Sequence, residues 1–452
     1  MQKIRFILTL WIAKIAAFAV NIIDKNRGTN YSGKIANKLM PDFIAHFTGI
    51  DYNKVIMITG TNGKSTTTNL IGQTLKTAGR DIASNVEGAN MMGGVATTLI
   101  KNSTLGGKFT KEFLVLEIDE RSFPAIYKLL PAKHMGITNL QKDQAQRNGD
   151  PDFIYRKFKN AIKPELCLYL NNEEPRSSGL SKCVDKFVTY SVASNSNTFT
   201  KSDFYDVSLP CPVCGRKIEY ERFNIESIGH FRCTHCDHCS SEAPDVQLTD
   251  IDYEGESFCF EGRKYKVSYN TPFYFYNYAM CIAICRNFGV TEEIFAKAFA
   301  AFENPASRRE YLSYKGKEIH YFRMKQENPE TMQSALDTIA ADKREKAIFI
   351  GLLEVKDFLP YYTNTFYFHD CNFKAIAETP VEKYVVFART VCFDTANRMT
   401  YAGAPLEDMV ILNTDDVEAV LTELDKVKTD NIYFLTGMKP YKALMQHFTK
   451  EA

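Results

Sequence analysis

The segment from Val55 to Thr66 (Val-Ile-Met-Ile-Thr-Gly-Thr-Asn-Gly-Lys-Ser-Thr) constrains the fold more than any other part of the chain. Four apolar residues in a row, ended by a glycine, read as a buried strand over 54–59. The stretch from Ser65 to Ala78 reads as a helix. A strand, a glycine-bearing loop and a helix make a cradle for phosphate. Gly60 and Gly63 let backbone N–H groups approach phosphate oxygens, and the helix N-terminus adds a favourable dipole. Lys64 supplies charge at the β- and γ-phosphates, and the Ser65 hydroxyl can ligate Mg²⁺. The generic form of such a loop has a glycine five residues before Gly63, where this chain has Ile58, so the loop is of a more specialised kind.

Two more short apolar runs, Phe113–Ile118 and His134–Thr138, alternate with helical patterns. Alternation of this kind argues for a parallel sheet covered by helices on both faces. A helix is expected over Tyr274–Phe288. Apolar periodicity lapses around Asn304–Arg309, where Pro305 stops the helix. Beyond it, Ala347–Gly351, Tyr384–Phe387, Met409–Leu412 and Ile432–Thr436 read as strands and Val417–Leu424 as a helix. The expected organisation is therefore an N-terminal helical segment (1–45), an α/β nucleotide-binding domain (46–303) and a smaller α/β domain (304–452).

The N-terminal stretch Phe6–Ile23 is mostly apolar but carries Lys14 and Asn21, seven apart and so on one helix face. A spanning helix wants about 20 uninterrupted apolar residues. The segment reads as an amphipathic helix, either packed on the protein or lying on a membrane surface.

Of the 12 cysteines, four or five cluster between Cys211 and Cys239. Cys211-Pro-Val-Cys214 and Cys233-Thr-His-Cys236 are two Cys-x-x-Cys knuckles with 18 residues between them, the pattern of a zinc ribbon inserted at about 208–242. Zinc takes four thiolates in a closed tetrahedron, which makes such a site structural. His235, His238 and Cys239 leave the choice of ligands open, since Cys236-x-x-Cys239 is a second candidate knuckle. A nucleotide-binding chain of this size fits a reducing, cytoplasmic compartment. A net charge of +1 and the lack of a basic stripe argue against a nucleic-acid partner.

The tight form Thr59-Gly60-Thr61-Asn62-Gly63-Lys64-Ser65-Thr66 resembles the phosphate loop of the Mur ligases and folylpolyglutamate synthetases. Glu117, ending its strand, matches their Mg²⁺-holding carboxylate. Thr138-Asn139-Leu140-Gln141-Lys142-Asp143-Gln144 resembles their Asn-Leu-x-x-Asp segment, and Asn277 their nucleotide-contacting asparagine. Lys157 and Lys159 lie where many of these ligases carry a carbamylated lysine. With the zinc ribbon, the whole chain resembles the MurT branch of the Mur ligases. Asn328-Pro329 after Lys325, the stretch Thr436-Gly437-Met438-Lys439-Pro440-Tyr441, and Arg389 and Arg398 belong to that likeness.

The resemblance implies a central ATP-binding domain and a ligase-like C-terminal domain, with ATP, Mg²⁺ and structural Zn²⁺. Gly60, Thr61, Asn62, Gly63, Lys64, Ser65, Thr66, Asn139 and Asn277 would bind nucleotide, and Lys64 and Glu117 would serve catalysis. It also implies ATP-dependent amidation of the D-glutamate α-carboxyl of lipid II, in peptidoglycan synthesis. Ammonia would come from a GatD-type glutamine amidotransferase subunit, with the enzyme at the inner face of the membrane. The family's aspartate-rich and tryptophan-rich C-terminal stretches are altered here. The aromatics are Phe and Tyr, and Asp357 and Asp370 are the remaining candidates for an aspartate lent to the partner. The Arg308-Arg309-Glu310 linker is also loosened. A stand-alone ligase joining an amino acid to a carboxylate is the competing reading. A nucleotide-holding module without catalysis is disfavoured by intact Lys64, Ser65 and Glu117.

Overall fold

A computed structural model describes residues 2–23, 30–85, 89–141, 150–200, 209–225, 227–303, 309–324, 329–353, 355–356, 363–365, 371–389 and 391–450. The chain divides into two compact units, 1–141 with 151–306, and 307–452 with 142–150.

The first unit opens with helices α1 (Gln2–Ile23) and α2 (Tyr31–Leu39). The phosphate-loop core follows: β1 (Val55–Thr59), α3 (Lys64–Thr77), β2 (Ile82–Ser84), α4 (Met92–Lys101), β3 (Phe113–Glu117), α5 (Phe123–Leu129) and β4 (His134–Ile137). Next come α6 (Pro151–Ala161), β5 (Cys167–Asn171), α7 (Pro175–Gly179) and β6 (Lys186–Val192). A hairpin of β7 (Ile218–Ile225) and β8 (Ile228–Cys233) precedes β9 (Val246–Asp252), β10 (Ser257–Phe260), β11 (Arg263–Lys266), α8 (Pro272–Arg286) and α9 (Glu292–Ala300).

Nine strands form one sheet in the order β11-β10-β9-β6-β5-β4-β1-β3-β2. Only β10 and β11 run antiparallel to their neighbours. The run Val55–Ile58 is wholly buried because both sheet faces are covered. Val55 and Met57 enter one core with Phe43, Val95 and Leu114. Ile56 and Ile58 enter the other with Leu70, Leu75 and the apolar side chains of α8. That is why the strand reads as continuous rather than alternating.

Helix α1 buries Phe6, Leu10 and Ala13 in the first of these cores. Lys14 does not mark the helix's water-facing side. Its ammonium turns inward and donates to the carbonyls of Ile100 (2.6 Å) and Ser103 (2.8 Å), at the C-terminal end of α4, where a helix favours a cation. No described helix is long and apolar enough to cross a membrane.

In the second unit, β12 (Arg309–Tyr314), β13 (Lys317–Arg323), α10 (Pro329–Ala341) and β14 (Lys346–Gly351) lead to a two-stranded pair, β15 (Val355–Lys356) and β16 (Thr363–Asn364). Then follow α11 (Lys374–Ala377), β17 (Val381–Phe387), α12 (Val391–Tyr401), β18 (Met409–Leu412), α13 (Val417–Lys426), β19 (Asn431–Thr436), α14 (Met438–Leu444) and β20 (Thr449–Lys450). Seven strands make a sheet in the order β18-β17-β14-β19-β13-β12-β20, parallel from β18 to β13. Ile348 and Ile350 face one core and Ala347 and Phe349 the other.

Candidate functional site

The phosphate loop leaves the C-terminal end of β1, the edge where parallel α/β sheets place ligands. β1 sits between β3 and β4. Ile58 pairs with Glu117 on one side, and Thr59 with Ile137 on the other. Register alone therefore brings the end of β3 and the Thr138–Gln141 segment to opposite flanks of the loop.

Gly60 and Gly63 have φ of 122° and 85°, values that L side chains rarely adopt. A Cβ on Gly60 would stand 2.3 Å from Thr138 Oγ1, and one on Gly63 2.5 Å from Asn277 Oδ1. Both positions need glycine for conformation and for space.

Asn139 zips the loop to β4. Its Oδ1 accepts from Asn62 N (2.9 Å) and its Nδ2 donates to Asn62 O (3.2 Å). Thr61 N donates to Asn139 O at 2.8 Å. Asn277, on α8, accepts from the Thr67 hydroxyl at 3.0 Å and closes over Gly63. Both residues expected to contact nucleotide thus also brace the loop.

Gln141, noticed in the sequence only as part of a motif, belongs to the same brace. Its backbone N–H donates to Thr61 Oγ1 (3.0 Å), and its carbonyl accepts from the same hydroxyl (3.1 Å). Its side-chain oxygen accepts from Asn62 Nδ2 (3.0 Å) and its amide donates to Ser227 Oγ (3.3 Å).

Lys64, almost fully buried, donates to the carbonyls of Gly60 and Thr61. It also lies 3.3 Å from Glu120. Ser65 and Thr66 are half-buried in the first turn of α3. Glu117 is buried, and one oxygen accepts from Asn90 Nδ2 at 2.9 Å. Its backbone is held by a reciprocal pair with the Asn85 amide, both bonds 2.8 Å. Glu120, Asn85 and Asn90 were not singled out from the sequence. The acidic run Glu117–Glu120 was the signal available for the first; nothing local pointed to the asparagines. Two carboxylates, a lysine and a helix start with hydroxyls, gathered at one strand edge, suit a nucleoside triphosphate with Mg²⁺.

Asp357 and Asp370 lie outside the described residues, as do Lys142, Asp143, Gln144, Arg308, Lys325 and Asn328. Lys157 stacks its ammonium over the Phe153 ring at 5.0 Å, and Lys159 is exposed. In the second unit Arg398 donates to the carbonyl of Cys371 at 2.7 Å over the Phe373 ring. Arg389 N donates to Asp415, which pairs with Lys439 at 2.7 Å.

Cys211, Cys214, Cys233 and Cys236 place their sulfurs within 4.8 Å of one another. Cys211–Cys236 is 3.8 Å and Cys214–Cys233 3.5 Å. A tetrahedron of 2.3 Å Zn–S bonds has edges of about 3.8 Å, so the four thiols fit zinc. Each knuckle is a local turn. Gly215 N returns to Cys211 O (2.8 Å), and Cys233 N donates to His238 O (2.8 Å). Burial raises the Cys233 thiol, but N–H groups of Cys236 and His235 and the neighbouring thiols outweigh it and bring it down to about 6. Cys239 is exposed and outside the group, His235 is exposed, and the buried His238 ring bonds to Pro175 O at 2.8 Å.

The ribbon hairpin is seated on the main sheet through Glu173. That buried carboxylate accepts from Asn224 of β7 (3.2 Å), from Val192 N (3.1 Å) and from the hydroxyl of Tyr276 (2.7 Å), the neighbour of Asn277. Burial pushes the Glu173 carboxyl up; the Tyr276 hydrogen bond opposes this.

The Mur ligase middle domain family model matches residues 58–233, and the MurT ligase C-terminal model residues 326–442. The lipid II isoglutaminyl synthase (glutamine-hydrolyzing) subunit MurT of Staphylococcus aureus (strain COL) is 29% identical over 379 residues, 83% of each chain. The chain is a Mur-ligase-like protein of the MurT kind. The Streptococcus pneumoniae MurT subunit is 24% identical over 429 residues, covering 93% of this chain and 92% of its own. Among solved structures, a pseudomurein peptide ligase type C from Methanothermus fervidus superposes with a TM-score of 0.66 at 16% identity, over 90% of this chain and 82% of that one. MurF of Thermotoga maritima, in complex with ADP, gives 0.58 at 16% identity, over 92% and 83%. The ligase fold and the ATP-dependent ligase class follow for this MurT-type chain, and its family implies ATP and Mg²⁺.

Proposed function

We propose that this chain amidates the α-carboxyl of D-glutamate in the stem peptide of lipid II, giving D-isoglutamine, at the inner face of the membrane. A GatD-type glutamine amidotransferase subunit supplies the ammonia. The observation that carries this reading is the match, along 83% of the chain, to subunits named for lipid II isoglutaminyl synthesis, joined to a complete phosphate loop.

A carboxylate is a poor electrophile, and phosphorylation gives it a leaving group. A carboxylate oxygen attacks the γ-phosphorus of ATP, ADP leaves, and an acyl phosphate forms. Ammonia attacks the carbonyl carbon, phosphate departs, and the nitrogen loses a proton to give the amide. Gly60–Thr66 hold the triphosphate by backbone N–H groups. The Lys64 ammonium offsets charge on the transferring phosphoryl group. Ser65 and Glu117 would hold Mg²⁺, which when bound neutralises phosphate charge. Glu120 orients Lys64. Asn139, Gln141 and Asn277 keep the loop in shape. Four thiolates leave zinc no open position, so its role is structural. Asp357 and Asp370 are the carboxylates offered to the amidotransferase. The domain limits 46–303 and 304–452, with a ribbon at about 208–242, remain the proposed organisation.

The test is amidation of lipid II by the purified protein with ATP and Mg²⁺, given free ammonia or glutamine without any partner. Product with ammonia and none with glutamine is the expected result. No product with ammonia, together with ATP cleavage when amino acids are offered, would overturn it in favour of a stand-alone amino-acid ligase.

A further inference from the structure

Helix α1 has a second apolar face that the fold does not use. While Phe6, Leu10 and Ala13 are buried, Ile4, Leu8, Trp11, Ile12, Ile15 and Phe18 are between 48% and 70% exposed. Their spacing of three to four residues makes one continuous stripe. The stripe is fixed outward, because the helix is tied down along its length. Arg5 donates to Leu39 O, Trp11 Nε1 to Leu105 O at 3.0 Å, and Lys14 to the end of α4. Leu39 and Leu105, both exposed, widen the patch, and a shallow groove between α1 and Leu39 runs beside it. An unbroken apolar surface of this kind marks an interaction site.

Charge selects the occupant. Residues 1–41 contain seven basic side chains (Lys3, Arg5, Lys14, Lys25, Arg27, Lys34, Lys38) and one acidic (Asp24). The whole chain is only +1, so the remainder is net negative. Lys3, Lys34 and Lys38 are exposed. A helix of 22 residues, about 33 Å long, with aromatic and aliphatic side chains outward and cations about it, suits an interface between headgroups and acyl chains.

We propose that the outward face of α1, with Leu39 and Leu105, docks on the surface of an anionic membrane leaflet. Assigning that leaflet to the side where a lipid-linked substrate is presented rests on the proposed function; the docking itself does not.

Trp11 is the chain's only tryptophan, so intrinsic fluorescence reports directly on this helix. The full-length protein is mixed with vesicles of phosphatidylcholine alone, or with phosphatidylglycerol added. The expected result is a blue shift and co-sedimentation with anionic vesicles, at least tenfold weaker with neutral ones or in high salt. The double variant Ile15→Glu/Phe18→Glu, at exposed positions, should lose both signals while keeping ATP affinity and zinc content. Absence of a shift, equal binding to both vesicles, unchanged binding of the variant, or a concentration-dependent dimer that buries Trp11 would each overturn the proposal. Amidation of a lipid-free substrate analogue separates the two readings. Docking lost with that activity kept refutes only the docking, and the reverse result refutes only the proposed reaction.

Discussion

Cys211 and Cys236 are 25 residues apart, and the cluster they close has a small core of its own with Ile218 and Phe231. The phosphate loop is walled by Asn139 and Gln141, 77 and 79 residues from Asn62, and by Asn277, 210 residues from Thr67. The cluster is assembled by two turns and a hairpin. The loop takes its shape from strands and a helix that only the finished sheet brings alongside. Local closure predicts a metal site indifferent to the nucleotide site. The long-range brace predicts a nucleotide site that depends on the ribbon, because Gln141 touches both Asn62 and Ser227, and Glu173 joins Asn224 to Tyr276.

The largest expected effect separates the two sites. Lys64→Ala should lower ATP-dependent turnover by roughly 10³-fold with zinc content and fold unchanged. Normal turnover in that variant would refute the assigned loop.

Cys233→Ser should reduce bound zinc, measured by elemental analysis, to near nothing and lower solubility. Through the hairpin it should also weaken ATP binding. Full zinc content would remove Cys233 from the ligand set, and zinc loss with unaltered ATP affinity would break the asserted dependence.

Gln141→Leu is milder and more selective. It keeps the backbone bonds to Thr61 but removes those to Asn62 and Ser227. ATP affinity by equilibrium binding should fall about tenfold, the scale of one or two lost hydrogen bonds, with zinc content intact. An affinity equal to that of the parent would confine the brace to Asn139 and Asn277.

A pH effect on stability, rather than on binding, concerns the strand that carries this wall. His134, at the start of β4, has its Nδ1 3.1 Å from the Tyr169 hydroxyl. Burial lowers its pKa from 6.5 to about 4, against a raising contribution from a backbone hydrogen bond to Asn53. The unfolded chain therefore takes up the proton first as pH falls. Stability should drop below pH 6.5 and level off near pH 4, by up to roughly 3 kcal/mol. His134→Gln should flatten this part of the denaturation profile; a profile identical to the parent's would show that another group titrates.

The sequence was most readable where one segment builds a whole feature. Strands β1, β3 and β4 announced themselves because residues such as Val55–Ile58 are buried on both faces, and the two Cys-x-x-Cys knuckles because each is a single turn. Met409–Leu412 was found to the residue, bounded as it is by polar segments. The antiparallel strands β10 and β11, which end one side of the sheet, were not anticipated. Segments such as Arg263–Lys266 carry too few apolar residues, and only pairing with a neighbour makes them strands. The site divides along the same line. Lys64, Ser65 and Glu117 sit in distinctive local strings, whereas Asn85, Asn90 and Glu173 look like ordinary polar residues until the fold buries Asn85 and Glu173 and sets Asn90 against Glu117.

Local sequence by itself determined the phosphate loop, the cysteine set and the alternation of strands and helices, since each depends on neighbours a few residues away. Tertiary structure alone decided which face of α1 stays outward, that Lys14 turns to the end of α4, and that Gln141 links the loop to the ribbon hairpin. Those outcomes depend on surfaces contributed by segments far apart in the chain, which no local pattern of residues records.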